Sequence, residues 1–259
     1  MPGATDPSGV AETLLHHLFP PKASPPPLVR LTRHENYTAL TSEQISGALA
    51  KFSNTSTPGP DHIRYSVSKS VHGLKPFLPP SLLDPLLAPG FHPLSLKKPL
   101  GIVLDKPGKP SYDSPSSFSV IVLLPTLSKI LDRVAASRLA AQAVTWSLIH
   151  PLQCGSLPGR STADAALVLQ HQVESLHRLQ YKVSTLFLNV KCGSDNVQSP
   201  SLLSLLRSKG VCPYLIQCVG SFLRDRTCCP TFQGSPCSFA PVSVGVPQGS
   251  PISPLLFII

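Results

Sequence analysis

The sequence predicts a mixed α and β fold on three observations. Apolar residues recur at three-to-four spacing over 124–144 and again over 162–180, which is helical periodicity. Apolar runs of strand length occupy 101–105 and 183–190. The two kinds of pattern alternate along the chain instead of forming separate blocks.

Taken in order, residues 1–38 are rich in Pro, His and Ser, including Pro20-Pro21 and Pro25-Pro26-Pro27, and read as a poorly ordered leader. Thr41-Ser42-Glu43-Gln44 opens a short helix with Ile45, Ala48 and Leu49 on one face, ending near Ser53. Pro58-Gly59-Pro60-Asp61 is a turn. Prolines from Phe77 to Asp113 keep helices short. Within that stretch 101–105 is a strand, followed by the turn Lys106-Pro107-Gly108-Lys109.

The 124–144 helix carries Leu127, Ile130, Leu131, Val134, Ala135 and Leu139 as its stripe. The helix over 162–180 opens with Ser161-Thr-Ala-Asp164, a capping box with Asp in the usual Glu place, and its stripe is Ala165, Leu169, Val173, Leu176 and Leu179. The run 183–190 follows as a strand, with Val183, Thr185, Phe187 and Asn189 on one face. A helix with Ser199 as N-cap, Pro200 in the first turn and Gly210 beyond its end comes next, then another over 213–223. Residues 227–233 and 238–244 form a hairpin around Gly234-Ser-Pro236. Gly245-Val-Pro-Gln-Gly-Ser-Pro251 is a loop leading into a final helix.

Composition narrows the function. Of 259 residues only 14% are charged, too few to solvate a disordered acidic or basic tail, and 16 glycines exclude a collagen repeat. No apolar run approaches the ~18 residues of a membrane span, and the first residues lack a basic start followed by an apolar stretch. An intracellular protein, nuclear or cytoplasmic, is expected. With 22 basic against 13 acidic residues the net charge is +9. Beyond Asp195 the only acid is Asp225, against Arg207, Lys209, Arg224 and Arg226, and a second basic group is Lys97, Lys98, Lys106 and Lys109. Released counterions make nucleic acid the natural partner of such a surface; a solvated basic face is the alternative. The seven cysteines include no Cys-x-x-Cys pair and no His at zinc spacing, so reduced thiols fit better than a metal centre. No Gly-x-Ser-x-Gly elbow is present, and Ser250 lies in a proline-flanked loop, which excludes a serine hydrolase of that type.

Five segments in order carry a family resemblance: Pro58–Asp61; Lys106–Lys109 with Leu127-Ser-Lys-Ile-Leu131; Gln153–Ala165; Leu186-Phe-Leu-Asn-Val-Lys191 with Asp195-Asn-Val197; and Gly245-Val-Pro-Gln-Gly-Ser-Pro-Ile-Ser-Pro-Leu-Leu-Phe257. Over about residues 40–259 the chain resembles the reverse transcriptase domain of non-LTR (LINE-type) retrotransposons. The resemblance implies an α+β right-hand polymerase fold, here fingers plus the first part of the palm over 39–259, without the catalytic hairpin and thumb. It also implies an RNA template, a DNA primer and two Mg²⁺ ions held by palm carboxylates. Lys106, Lys109, Gln248 and Gly249 match positions near the incoming nucleotide. Lys129 and Arg160 are candidates for template phosphates, with solvated side chains as the alternative.

The sequence also departs from the family. Asn189 stands at the first metal-ligand position, where a neutral amide lacks the charge that holds Mg²⁺. Ser194 occupies the place of an aromatic that gates the sugar 2′ position, and Ser119 replaces an Arg that reaches the triphosphate. The remaining two ligands belong to a Tyr-x-Asp-Asp hairpin not found before Ile259. No competent catalytic residue set and no bound metal are therefore expected, and Asp195 reads as a helix-start or loop-stabilising carboxylate. An inactive polymerase remnant is the first reading. A non-catalytic RNA/DNA-binding protein and a piece of a longer polymerase are the alternatives.

Overall fold

The computed structural model describes Thr13 and residues 36–259 apart from 191, 233–234 and 237–239. Most of the leader expected over 1–38 lies outside the described residues. At its end Tyr37 is buried, donates its hydroxyl to Asp84 Oδ1 at 2.7 Å and packs edge-on against Tyr214.

Eight α-helices and a mixed sheet make up the described body. Helix α1 (Ser42–Ala50) begins where Thr41 Oγ1 accepts the Gln44 N–H and buries Ile45, Ala48 and Leu49, as the periodicity predicts. Helices α2 (Tyr65–Leu74) and α3 (Leu78–Leu87) follow. Pro79 and Pro80 sit in the first turn of α3, where their missing N–H groups cost nothing, although Pro85 lies inside it. Strand β1 (Leu100–Asp105) pairs antiparallel with β2 (Phe118–Leu123) through a Leu100–Leu123 to Asp105–Phe118 register.

Helix α4 (Thr126–Thr145) runs through the core, with Leu131 and Leu139 fully buried. Its own N-cap is Pro125, which has no acceptor side chain. Asp61 from the Pro58–Asp61 turn supplies one, taking the Thr126 N–H on Oδ2 at 2.7 Å. Helices α5 (Thr162–Arg178), α6 (Ser199–Ser208) and α7 (Pro213–Leu223) precede β3 (Arg226–Phe232), β4 (Ser235–Pro236), β5 (Ala240–Val242) and α8 (Ser253–Ile258). Strand β3 runs parallel to β1 and antiparallel to β4 and β5, giving the order β2-β1-β3-β4 with β5 also on β3. Strand β3 pairs antiparallel with the residues that follow it, as the expected hairpin requires, but Ser235 and Pro236, expected in its turn, form the paired strand β4. No helix among the described residues is long and apolar enough to cross a membrane. Cys218 and Cys228 are buried free thiols, and Cys229 is buried as well.

Three expectations need correction. Ser199 is the first helical residue of α6, and Gln198 is its N-cap. The capping box of α5 forms, with Ser161 Oγ accepting from Asp164 N and Asp164 Oδ2 accepting from Ser161 N, yet no residue of α5 is buried. The apolar stripe predicts a packed face, but only its Leu169 and Val173 are partly buried, and Leu176 and Leu179 are 39% and 66% exposed. The run 183–190 forms no strand, and Leu186, Phe187 and Leu188 are 80%, 80% and 83% exposed. Apolar, β-branched composition favours a strand, but the ladder needs a free neighbouring edge. Strand β1 pairs with β2 and β3, β3 also with β4 and β5, and none pairs with 183–190.

Two predictions follow from this packing. Replacing Asp61 removes the borrowed cap, so Asp61→Ala costs about 1–2 kcal/mol in urea denaturation. Lys97 is 5% exposed, donates from Nζ to the Ser221 and Arg224 carbonyls at 2.8 and 3.0 Å, and burial lowers its pKa to about 8 from the usual 10.5. Between those values the unfolded chain binds a proton that the folded chain does not, so this group adds stability as pH rises. The stability of wild type relative to Lys97→Met therefore grows between pH 8 and about 10 in denaturation series; a constant difference contradicts the burial of a charged Lys97.

Candidate functional site

The loop 245–251 is held at three points. Gly245 has φ +77°, and a Cβ there would lie 2.8 Å from the Asp195 carbonyl oxygen. Its N–H donates to Val197 O at 2.9 Å, and Val246 N–H donates to Ser194 O at 2.9 Å. Gly249 has φ +128°, and any Cβ would collide with the Val122 carbonyl. The adjoining Gln248 carbonyl accepts the Val122 N–H at 2.7 Å, so the loop caps the outer edge of β2. Ser250, 3% exposed, donates its hydroxyl to Asp132 Oδ2 at 2.7 Å.

Asp132 is itself buried on α4, and its Oδ1 lies 3.2 Å from Nε2 of the fully buried His92. Ser128, one turn earlier on α4, approaches the same nitrogen at 3.3 Å. On the other side Arg226, 6% exposed, donates from Nη2 to the Val244 and Gly245 carbonyls at 3.2 and 2.7 Å. Gly245 and Gly249 are therefore required by close approach, and the loop is rigidly placed between the sheet edge, the 192–197 turn and the core.

Three neighbouring cavities run along this loop. The first, about 240 Å³, is lined by Lys106, Phe118, Ser119, Val120, residues 192–195 and Gln248. The second, about 450 Å³, shares Ser194 and Gln248 with it and adds Gly249 and Phe257. The third, about 680 Å³, shares Ser156, Gly249 and Pro254 with the second and is lined by Lys51, Phe52, Lys129 and Arg133. Its wall carries three cationic side chains and no carboxylate. Burial lowers the pKa of Lys129, opposed by Asp61 and Asp132, and also that of Arg133. An anionic ligand that neutralises these charges is favoured there.

In the first cavity Asp195 accepts the Gln248 side-chain N–H on Oδ1 at 2.9 Å. Burial raises its pKa, opposed by the Gln248 hydrogen bond and by the charge of Lys106. The loop-stabilising role expected of Asp195 matches this contact.

Lys106, Ser194 and Gln248 thus share one cavity, and Gly249 joins them through the next. Lys109 is exposed in its turn and lines none of the three. Lys129 lines the basic cavity although it is 9% exposed. Arg160 is exposed, and its Nη1 donates to the Pro151 and Gln153 carbonyls at 2.6 Å each, which braces its own loop. Asn189 is exposed on the unpaired 181–190 segment and lines none of these cavities. Two Mg²⁺ ions need several anionic oxygens. Asn189 brings no charge, Asp195 has one oxygen engaged, and no group of three His, Cys, Asp or Glu converges among the described residues. The residues present do not fit that metal pair.

Sequence reasoning missed Lys51, Arg133, Arg226 and the Asp132–His92–Ser250 network. The signal for the last was available: Ser128 and Asp132, one turn apart, interrupt the apolar face of a core helix.

Gly245→Ala combines a positive φ with a backbone collision, so it costs more than 2 kcal/mol in urea unfolding. Gly47→Ala, in an exposed interior turn of α1 with open space around it, stabilises by about 0.5–1 kcal/mol. Equal effects at both positions contradict the close approach of the loop.

Residues 104–259, more than half of the chain, match the family described as reverse transcriptase (RNA-dependent DNA polymerase). The chain is 28% identical over 224 residues to the RNA-directed DNA polymerase from mobile element jockey of Drosophila melanogaster, covering 85% of this chain and 24% of that protein. It is 28% identical over 256 residues to the putative 115 kDa protein in the type-1 retrotransposable element R1DM of the same species, covering 98% of this chain and 24% of the relative. It is 24% identical over 214 residues to the probable RNA-directed DNA polymerase from transposon X-element, again from that species, covering 83% and 23%. The chain spans about a quarter of the length of these curated relatives. The ordered motifs, the mixed α+β body and the family match over 104–259 agree, and the chain belongs to the reverse transcriptase family as a domain of the non-LTR retrotransposon type.

Proposed function

We propose that this domain holds an RNA template and DNA primer against the basic cavity and a nucleotide in the cavity beside Lys106. The observation that carries the reading is the series of cavities along one rigid loop, cationic at the Lys51–Lys129–Arg133 end and polar at the Lys106–Gln248 end. A phosphate backbone suits the first, because the cations lie side by side without a competing carboxylate. A triphosphate suits the second, where Lys106 supplies positive charge and Gln248 an amide. In this reading residues 39–259 are fingers and the first part of a palm.

Relatives named as RNA-directed DNA polymerases support a polymerase ancestry for the domain. With Asn189 at the first ligand position, the domain binds these partners without extending the primer. This chain's own residues orient the strands and the nucleotide.

Binding of an RNA–DNA duplex, followed by fluorescence anisotropy against salt, tests the reading. Affinity falls linearly on a log-log plot, with a slope near −0.9 per phosphate neutralised. Lys51→Gln together with Arg133→Gln lowers the magnitude of that slope by about 1 to 2. A salt-independent affinity, or an unchanged slope in the double variant, contradicts it. Primer extension with Mg²⁺ is expected to be absent in the same preparation.

A further inference from the structure

We propose that helix α5 is a self-association face, along which two copies of this chain pair antiparallel with Asp164 of each meeting Arg178 of the other. The proposal is independent of the cavities along the loop and stands on a different part of the molecule.

The first observation is a helix without packing. Helix α5 has 17 residues, a length of about 25 Å, and none of them is buried. Helices in proteins draw most of their stability from covering an amphipathic face. Such a face is present here: Val168 and Leu176, with the C-cap Leu179, lie along one side and are exposed. The 181–190 segment that follows exposes Tyr181 and Phe187 as well. Between 167 and 190 nine apolar side chains are 38% to 83% exposed. At roughly 100 Å² apiece they match the ~800 Å² that each partner buries in a stable dimer. A monomer seldom leaves so large an apolar area to water.

The charges select a second copy as the occupant. Asp164, His171 and Arg178 recur every seven residues, so they follow one edge of the apolar side. Asp164 stands in the first turn and Arg178 at the last helical position, about 21 Å apart along the axis. A parallel pair would set like charges side by side at both ends. An antiparallel pair with its two-fold axis at His171 brings each Asp164 to the Arg178 of the other copy, so the contact forms twice.

Both side chains are open to that contact. Asp164 accepts from the Ser161 N–H and hydroxyl on Oδ2 alone, at 2.6 and 2.8 Å, which leaves Oδ1 facing no donor among the described residues. The capping box thus holds the carboxylate in place while one oxygen stays available. Arg178 is exposed at the other end. A guanidinium on a held carboxylate loses less side-chain freedom than a pair of two mobile groups.

Sedimentation equilibrium of the full chain, freed of nucleic acid, tests the proposal. A species of twice the 27.6 kDa of one chain is expected at micromolar concentration. Val168→Glu together with Leu179→Glu weakens the dimer about a hundredfold, with the helix content by circular dichroism retained. Asp164→Asn, which keeps an acceptor for Ser161, weakens it about threefold, and Arg178→Glu about tenfold. Combining these two recovers part of the Arg178→Glu loss, because the repulsion requires the Asp164 charge. A monomer throughout the micromolar range, or a dimer that the double glutamate variant leaves intact, overturns the face. A dimer that Asp164→Asn tightens, or that Arg178→Glu leaves unchanged, overturns the antiparallel pairing.

Discussion

The wall of the candidate site depends on how closely the loop 245–251 approaches its neighbours. Two residues without side chains let the backbone lie against Asp195 at one end and Val122 at the other, distances that no Cβ permits. Between and beyond these points Ser250 reaches Asp132, and Arg226 holds the loop's first carbonyls from below. The loop is irregular in secondary structure yet more tightly constrained than many strands. Its rigidity turns separate surface features into one wall shared by three cavities.

The charge distribution acquires meaning on that wall. A net charge of +9 states little by itself, since solvated basic faces are common. Here Lys51, the C-cap of α1, and Lys129 and Arg133 of α4 meet around one cavity without a carboxylate. Lys106 and Asp195 sit together at the far end, giving a site of mixed sign. The buried Asp132–His92–Ser250 network underneath is positional: it lies in the core, and its hydrogen bonds fix the loop. Removing one member would strand the others without partners, at a cost typical of buried polar groups.

Much of this was legible in the sequence where chemistry is local. Ser161 caps its helix in the structure as its side chain requires, the helix opened by 41–44 forms, and the stripe of 124–144 packs as its spacing indicates. The glycines of 245–249 were visible as a motif, but only the fold shows what presses against each. Strand β2, in the apolar run through Val120 and Val122, was not foreseen. Long-range partnership was not legible. Nothing in 183–190 indicates whether an edge awaits it, and the stripe of α5 does not reveal that its face stays uncovered. Lys51 and Arg133 lie far apart in sequence, and only the packing of α1 on α4 brings them to one cavity.

The central claim is that the loop-lined wall is the nucleic-acid-binding face. Photocross-linking with 4-thiouridine placed along the template strand of an RNA–DNA duplex, mapped by mass spectrometry, tests it most directly. The account predicts adducts on peptides containing Lys51–Ser56, Lys129–Arg133 and Ser156–Pro158, the walls of the basic cavity. Adducts confined to α5 and the exposed 181–190 segment, with none along that cavity, would contradict it.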